Sequence, residues 1–391
     1  MKKIAIITAF VSTLLLVATS SNATIRRVGF TASTSPVSGI DYTTFQAAHD
    51  AANVGDTIQI YPNTSPISYS ATINKRLVIL GAGYFYNSYT TPYTTDLLNT
   101  GLQNLAGGIS NTSITIGVGS SGTYIAGFYN LSVSTSNIPD SLNNITITRN
   151  RGVSVSWDNS GVCNNWIISQ CMGVSVYQSG YGASFTGNRT ITNFRIENCI
   201  GYYENGSISV NLNTSPVGIS SGQILNCTAG SGSFTLNANN QAVVVQNCII
   251  ETLAPTSGYL TNVTNTIFIN NTTTSSASNN PVATNPGSTG NVFGVSFANN
   301  SYFLGYPNNT SGSTTLNSPD ARFKLSSTSP AKNAGIIPGT ATATDCGAYG
   351  GTNPYKASGI PPIPSFYKLN APSSTATGNS YTLTFSVKSN N

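Results

Sequence analysis

The hydrophobic and polar positions of this chain follow a repeating pattern of short strands. Three copies, in which apolar and polar residues alternate, end in Asn-Cys at residues 198–199, 226–227 and 247–248. Looser copies flank them, and successive copies are 19, 21, 28, 28, 21 and 23 residues apart when their last residues are aligned. A repeat of this length predicts a solenoid whose coils bury a shared core. The aligned last residues are Leu131, Asn150, Cys171, Cys199, Cys227, Cys248 and Asn271.

A second short strand follows most copies after a few residues. Its apolar and polar residues also alternate, which places one face inside the protein and the other in water. Two or three strands per coil, joined by turns rich in Gly, Ser and Asn, predict parallel coils stacked about 4.8 Å apart. These second strands lie at residues 153–155, 174–176, 208–210 and 234–236.

Two columns of equivalent residues follow from this alignment. The penultimate column is rich in asparagine, which predicts side-chain amides that hydrogen-bond to one another and to the turns along the solenoid. The last column is rich in cysteine. We expect buried thiols that fill space there, because side chains pointing in parallel give poor disulfide geometry. The predicted columns are Asn130, Asn198, Asn226, Asn247 and Asn270, and Cys171, Cys199, Cys227 and Cys248.

An amphipathic segment before the repeats predicts a helix near residues 43–52. Phe45, Ala48 and Ala52 share one helical face, and Thr43 with Gln46 makes a candidate capping box. The first coil of an open stack exposes an edge that promotes aggregation. We therefore expect this helix to cover that coil.

This helix and the segment after it resemble the N-terminal cap of pectate-lyase-like β-helix proteins. The resemblance is carried by Phe45, Ala48 and Ala52, by GDTI at 55–58 and by the Tyr-Pro pair at 61–62. The segments SPAKNAG at 329–335 and DCGAYGG at 345–351 are similar to the closing segment of many exported bacterial β-helix proteins. The resemblance implies an all-β fold, a right-handed parallel β-helix with a capping helix and a C-terminal extension. Members of this group mostly lack an assigned activity.

The first 23 residues have the features of a secretory signal peptide. Lys2 and Lys3 precede a short apolar run, and small residues lead up to Ala23. The run is too short for a good membrane anchor, and no later stretch predicts a transmembrane segment. We therefore expect an exported protein, secreted or at the cell surface. The β-helix should span 24–356, and a Pro-rich linker with a C-terminal strand should span 357–391.

Charge is sparse along the whole chain. Charged residues make up 7% of the 391 residues and give a net charge of +5 at pH 7, whereas about a quarter of an ordinary globular domain is charged. Without Lys2 and Lys3, 14 basic residues face 11 acidic ones. So small an excess of positive charge predicts no nucleic-acid partner. We expect a monomer with an uncharged surface rich in hydroxyl and amide groups.

The sequence gives little support for enzymatic chemistry. His49 is the only histidine, which argues against hydrolase triads and zinc sites and favours a structural or solvated role. β-Helix lyases typically need clustered acids for calcium, and polygalacturonase-like enzymes carry Arg-Ile-Lys where this chain has only Arg195-Ile196-Glu197. No Cys-x-x-Cys pair accompanies the cysteines. We expect neither a metal nor a cofactor.

One group of polar residues remains as a candidate site. Arg195 and Glu197 should point outward from one strand, with Arg149 and Asp158 two coils away. Two carboxylates flanking a glycosidic bond could hydrolyse it, but solvated ion pairs are the simpler interpretation. Aromatic residues nearby could stack on sugar rings or only shield the edge of the core. The candidate binding residues are Arg149, Arg151, Asp158, Arg195, Glu197 and Tyr202, and the other aromatics are Trp157, Tyr177, Tyr181 and Tyr203.

Three functions stay open at this point. The first is a non-catalytic exported protein whose flat face binds a polysaccharide or another cell-surface component. The second is an atypical polysaccharide lyase or glycoside hydrolase. The third is a purely structural or ice-binding solenoid. Thr146-Ile147-Thr148 resembles an ice-binding Thr-x-Thr step, but the aligned strands carry Ile167 or Arg195 in place of the first threonine, so we expect no regular threonine ladder there.

Overall fold

The structure is a computed structural model in which most strands are parallel and stacked. It describes residues 23–29, 37–61, 67–84, 109–135, 138–157, 160–178, 190–201, 206–212, 220–230, 234–237, 242–251, 253–254, 262–269, 289–295, 302–305, 320–359, 362, 365–370 and 384–388. Successive coils pair in register along the chain. The prediction of an all-β parallel solenoid is confirmed.

The first strand of each coil belongs to one long sheet, here called sheet I. Its strands pair in parallel, mostly with the next coil's strand, in the order β2-β1-β3-β5-β7-β10-β13-β16-β19-β22-β25. They are β1 (Ile25–Val28), β2 (Asp41–Tyr42), β3 (Thr57–Ile60), β5 (Val78–Leu80), β7 (Tyr124–Ala126), β10 (Thr146–Thr148), β13 (Ile167–Ser169), β16 (Phe194–Glu197), β19 (Ser221–Leu225), β22 (Ala242–Gln246) and β25 (Asn262–Thr264).

The second strands of the coils form sheet II, and three coils add a shorter sheet III. Sheet II contains β4 (Ile67–Ile73), β6 (Ile109–Ile116), β8 (Tyr129–Thr135), β11 (Arg151–Ser156), β14 (Met172–Tyr177), β17 (Ile200–Gly201), β18 (Ile208–Asn211), β20 (Thr228–Ala229), β21 (Phe234–Asn237), β23 (Ile249–Ile250), β24 (Leu253–Ala254), β26 (Ile267–Ile269) and β27 (Val292–Val295). Sheet III contains β9 (Ile138–Asn143), β12 (Ser160–Asn164) and β15 (Thr190–Thr192).

The corner between sheets I and II is built from residues in the left-handed backbone conformation. Asn198, Asn226 and Asn247 have φ of 52°, 48° and 56°, a region that asparagine tolerates better than most residues. Each corner amide donates to a carbonyl of the next coil, as in Asn198 N to Leu225 O at 3.0 Å. The predicted asparagine column is therefore real in these coils. Arg149, Gln170 and Asn265 extend it, with φ of 54°, 52° and 49°.

The outer members of the predicted columns are misplaced. Leu131 pairs with Val153 inside sheet II, so Phe128, not Leu131, stands level with Asn150. At that corner Gly127 takes the left-handed place, with φ of 86°, and the asparagine signal is missing. Asn270 and Asn271 lie outside the described residues, where Asn265 and Thr266 continue the two columns.

The column after the corner supplies buried hydrogen-bond donors. Each of its side chains donates to the carbonyl two residues earlier, at the bend that ends the sheet I strand. Cys199 Sγ lies 3.3 Å from Glu197 O, Asn150 Nδ2 lies 2.8 Å from Thr148 O, and Thr266 Oγ1 lies 3.1 Å from Thr264 O. All six cysteines are buried free thiols. The thiol column therefore fills space, as predicted, and also satisfies a carbonyl in each coil.

The N-terminal helix α1 covers the first coils. It spans Phe45–Ala51, and the N-cap is Thr44, whose Oγ1 accepts from Ala47 N at 3.2 Å. The predicted capping box of Thr43 and Gln46 is wrong by one residue. The Gln46 side chain instead accepts from Thr72 N of β4 at 2.9 Å. The predicted core face of the helix is confirmed by the burial of Phe45, Ala48 and Ala52.

The only histidine, on the same helix, has a structural role. His49 is buried, its Nε2 accepts from Asn74 N at 3.2 Å, and its Nδ1 lies 2.9 Å from Asp50 Oδ1. Because Nε2 is an acceptor, Nδ1 carries the proton and donates it to Asp50. That hydrogen bond lowers the pKa of Asp50 below its usual value, with a second contribution from Gln46.

A C-terminal segment returns along the corner column, from the last coils towards the first. This strap, residues 335–355, begins with an antiparallel pair, β28 (Gly335–Ile336) and β29 (Ala343–Thr344). The amides of Asn247, Asn198 and Gln170 donate to Ile336 O, Gly350 O and Pro354 O at 2.8, 2.7 and 2.8 Å. The strap belongs to a second hydrophobic cluster outside the solenoid, which buries the outward-facing Met172, Ile200 and Ile249 of sheet II.

Short elements flank the strap on both sides. The 3-10 helix η1 (Asp320–Phe323) precedes it and η2 (Ala357–Gly359) follows it. The C-terminal strand β31 (Thr384–Lys388) pairs antiparallel with β30 (Ser365–Asn370).

Candidate functional site

The outward side chains of sheet II form two parallel ranks rich in hydroxyl groups. In β8, β11 and β14 the inward residues are buried valines and Leu131, and serines alternate with them on the outside. Strand pairing places these serines level with one another from coil to coil. The first rank is Ser70, Ser113, Ser132, Ser154, Ser175, Ser209 and Thr235. The second rank is Thr72, Thr115, Ser134, Ser156, Tyr177 and Asn211.

These ranks make a flat face without charge. Neighbouring strands lie about 4.8 Å apart, so hydroxyls of one rank recur at that spacing. Within the second rank Thr115 Oγ1 and Ser134 Oγ approach to 3.3 Å. Ser113 and Ser132 are exposed and Ser154 is half-exposed. The face therefore offers regularly spaced donors and acceptors to a molecule lying on it.

A shallow trough of about 300 Å³ runs beside the first rank. One wall is made by Asn111 and Asn130, which have φ of 59° and 51° and lie with Nδ2 of Asn130 3.4 Å from Oδ1 of Asn111. In the next coil Gly152 takes the place of an asparagine. A Cβ there would lie 2.6 Å from Asn130 Oδ1, so a larger residue would have to displace the Asn130 side chain, and the φ of 64° also favours glycine. The trough is lined by Asn111, Thr112, Ser113, Asn130, Leu131, Ser132, Gly152 and Ser154.

Of the predicted site residues, Arg151 is the one beside this trough. It precedes Gly152 in β11, and its guanidinium lies over the ring of Tyr129 at 4.6 Å from the ring centre. Strand pairing brings the two residues level in adjacent coils. A cation over an aromatic face is held there by its attraction to the ring quadrupole. Arg151 therefore borders the uncharged face as an anchored group.

Arg149 lies in the corner and not on the hydroxyl face. It is buried, and its Nε donates to Gln170 Oε1 at 2.8 Å. Burial lowers the pKa of the Arg149 guanidinium. Because Gln170 also binds the strap, Arg149 supports the junction of corner and strap.

Arg195 and Glu197 form an ion pair on sheet I. Both lie on β16, and Arg195 Nη2 contacts Glu197 Oε2. The side chain of Arg195 is 42% exposed, but that of Glu197 is only 11% exposed. Glu197 thus points outward but is largely covered. Strand pairing through β13 places this pair two coils from Thr148 and the neighbouring Arg149.

The remaining predicted residues divide between the core and undescribed positions. Trp157 was expected on the surface, but it is fully buried and packs against Trp166 and Phe194 with ring centres 5.8 Å apart. Its neighbour Ser156 faces outward, so strand alternation turns Trp157 inward. Tyr177 is exposed at the end of β14. Asp158, Tyr181, Tyr202 and Tyr203 lie outside the described residues.

The hydroxyl ranks were not predicted from the sequence, although a signal exists. Val-Ser-Val recurs at 153–155 and 174–176, with Leu-Ser-Val at 131–133 and Ile-Ser-Val at 208–210. The candidate ice-binding step Thr146-Ile147-Thr148 lies on sheet I. There Thr146 pairs with Ile167, and Ile167 with Arg195, so the expected lack of a regular threonine ladder on that sheet is confirmed.

A metal-ligand cluster and a membrane-spanning helix are both absent from the described part of the chain. Its His, Cys, Asp and Glu residues form no group of three or more that could hold a metal ion. None of the helices in that part is long and apolar enough to cross a bilayer. No protein-family model matches the chain. No curated protein matches it either.

Proposed function

We propose that this is an exported, non-catalytic β-helix protein that binds a neutral polysaccharide on the hydroxyl face of sheet II. The observation that carries the proposal is the pair of hydroxyl-rich ranks beside a trough lined by amides and hydroxyls. Sugar hydroxyls both donate and accept hydrogen bonds, as do serine, threonine and asparagine side chains. The resemblance of both ends of the chain to exported β-helix proteins supports the export.

The regular spacing favours a polymer over a single sugar. One hydrogen bond exchanged with water contributes about 0.5–1.5 kcal/mol net, which is too little for stable binding. A chain lying along several coils would repeat such contacts without additional association entropy. The exposed ring of Tyr177 within the second rank could stack on a sugar face.

The absence of charge from the ranks favours a neutral polymer over a polyuronate. Their members carry hydroxyl, amide or phenol groups, and the nearby Arg151 lies over Tyr129. The trough is likewise lined by hydroxyl, amide, glycine and leucine residues. Glu197, a carboxylate of the candidate site, lies on sheet I and is paired with Arg195. These placements favour binding without hydrolysis.

The test is co-sedimentation of the purified protein with insoluble neutral glucans and chitin, with soluble polygalacturonate as the anionic comparison. Ser132→Lys places a long cation in the trough. We expect it to weaken binding at least about tenfold, the effect of losing roughly 1.4 kcal/mol. Gln223→Lys is the matched control, because Gln223 is an exposed outward residue on β19 of sheet I. Equal binding by both variants, or no binding of any neutral polymer by the unaltered protein, would contradict the proposal.

Two further measurements on the same proteins distinguish the enzymatic and the ice-binding functions. Release of reducing or unsaturated sugar ends during incubation would make the protein an enzyme. A specific observation also favours ice as a ligand, since Ser or Thr stands in both ranks of β4, β6, β8 and β11. Thermal hysteresis that Ser132→Lys abolishes, without polysaccharide binding, would replace the glycan by ice.

A further inference from the structure

A buried carboxylate lies at the beginning of the solenoid. Asp56 follows α1, and its side chain is 3% exposed. One oxygen accepts from Thr24 N at 2.8 Å, and the other accepts from Asn53 N at 2.9 Å and from Arg26 Nε at 3.1 Å. Burial acts to raise the pKa of Asp56, but the hydrogen bonds from Asn53, Thr24 and Arg26 outweigh it, and the pKa lies below its usual value. Asp56 is therefore an ionised acceptor.

Thr24 is held on two sides. Its nitrogen donates to Asp56, and its carbonyl oxygen accepts from Thr57 N of β3 at 3.0 Å. Ala23 before it is exposed. The small residues Ser21 and Ala23 occupy the −3 and −1 positions of a signal-peptidase site that ends immediately before Thr24.

We infer that the exported chain begins at Thr24 and that Asp56 holds its new α-amino group. Signal peptidase hydrolyses the bond between Ala23 and Thr24 with one water molecule, leaving a carboxylate on Ala23 and an amine on Thr24. The amine takes a proton from solvent and becomes an ammonium. The hydrogen bond from a neutral amide to the Asp56 carboxylate is thereby replaced by one in which the donor and the acceptor are both charged, which is stronger.

This site couples processing to the stability of the first coil. Thr24 leads directly into β1, which pairs with both β2 and β3. In the unprocessed chain Asp56 has Arg26 as its cationic partner, and removal of the signal peptide adds a second cation. The inference rests on the proposed export, and it is independent of glycan binding.

The first test is the N-terminal sequence of the secreted protein, which should begin with Thr24. The second is the rate at which an amine-reactive ester labels the α-amino group of the folded protein near pH 7.5. We expect labelling about six- to eightfold slower than in a short peptide with the same N-terminus, since raising the pKa of an amine that usually lies at about 7.7–8.0 by about one unit lowers its unprotonated fraction at pH 7.5 by that factor.

Asp56→Asn should restore the peptide rate. Asp41→Asn is the matched control, because Asp41 pairs with Arg27 of the same strand β1 at 2.6 Å and does not bond to Thr24. If Asp56→Asn fails to fold, the unaltered protein is compared with and without urea, and urea should abolish the protection. A secreted chain that begins at another residue, or a folded chain labelled at the peptide rate, would overturn the inference while leaving glycan binding open.

Discussion

Single residues at the corner of the coils both adopt the left-handed backbone conformation and bind the strap. Asn198 adopts a left-handed backbone conformation with φ of 52°, and its buried Nδ2 donates to Ala348 O and Gly350 O of the strap. Asn165 has a similar φ of 60°, but its side chain is exposed and bonds to Asn144 Oδ1. Comparing substitutions at these two residues therefore distinguishes the cost of the left-handed backbone from the contribution of the strap hydrogen bonds.

Asn198→Ala should destabilise the protein by about 2–5 kcal/mol. The left-handed conformation costs alanine about 1–2 kcal/mol, and the loss of the donor to Gly350 O costs about 1–3 kcal/mol, whereas Ala348 O still accepts from Tyr355 N. Asn165→Ala should cost only about 1–2 kcal/mol. Urea unfolding followed by circular dichroism measures both. Equal destabilisation would show that the hydrogen bonds from the Asn198 side-chain amide to the strap carbonyls contribute nothing, and Asn198→Gly, which removes the strain, isolates these hydrogen bonds.

The buried thiols should be unreactive in the folded protein. Burial raises the pKa of Cys346 to about 12, with a smaller contribution from Asp345, and burial also raises the pKa of Cys199 and Cys248. Since the thiolate is the reactive form, a thiol reagent at about pH 8 should label fewer than one cysteine per chain, and denaturant should release all six. Mass spectrometry without reductant counts the labels, and a disulfide in the secreted protein would contradict this prediction.

At the scale of elements, a lysine outside α1 closes the end of that helix. Lys75 Nζ lies 3.0, 3.0 and 2.9 Å from the carbonyl oxygens of His49, Asp50 and Ala52. The last carbonyls of a helix have no amide partner four residues later, and a cation there also interacts favourably with the helix dipole. The cap that covers the first coils thus depends on a side chain from the connection between β4 and β5.

Lys75→Met should lower the free energy of unfolding by about 2 kcal/mol. It removes charge-assisted hydrogen bonds worth about 1.5–3 kcal/mol each at most, and solvent replaces part of them because Lys75 is half-exposed. The control is Arg76→Met, which removes a neighbouring exposed cation. Hydrogen exchange of the α1 amides should accelerate in the first variant alone. Acceleration in both would assign the effect to net charge.

Element boundaries were predictable where the signal is local. The strand pattern located the sheet II strands that begin at Arg151 and Met172, because alternation alone determines which face is buried. The N-cap was missed by one residue because Thr43 and Thr44 are both competent caps, and only the backbone at Thr44, with φ of −128° and ψ of 152°, selects between them. The corner before β8 was missed because Gly127 replaces asparagine there.

At the scale of the whole molecule, long-range contacts could not be predicted from the sequence. Asn198 and Gly350 are 152 residues apart, and no local pattern announces that one binds the other. The same holds for the hydroxyl ranks, which exist only once pairing places Ser113, Ser132 and Ser154 level with one another. Burial could not be predicted either, since Arg149 and Glu197 were assigned to the candidate site by counting residues and are buried in the folded chain.

The strap also changes how the stack can come apart. In an ordinary repeat protein each coil contacts only its neighbours, so end coils can detach while the middle persists. Here one backbone is fastened near Asn247, Asn198 and Gln170, and its last tyrosine, Tyr355, is hydrogen-bonded to Tyr84 beside β5. A terminal coil therefore cannot detach without disturbing a coil far along the axis. The coils unfold together rather than one at a time.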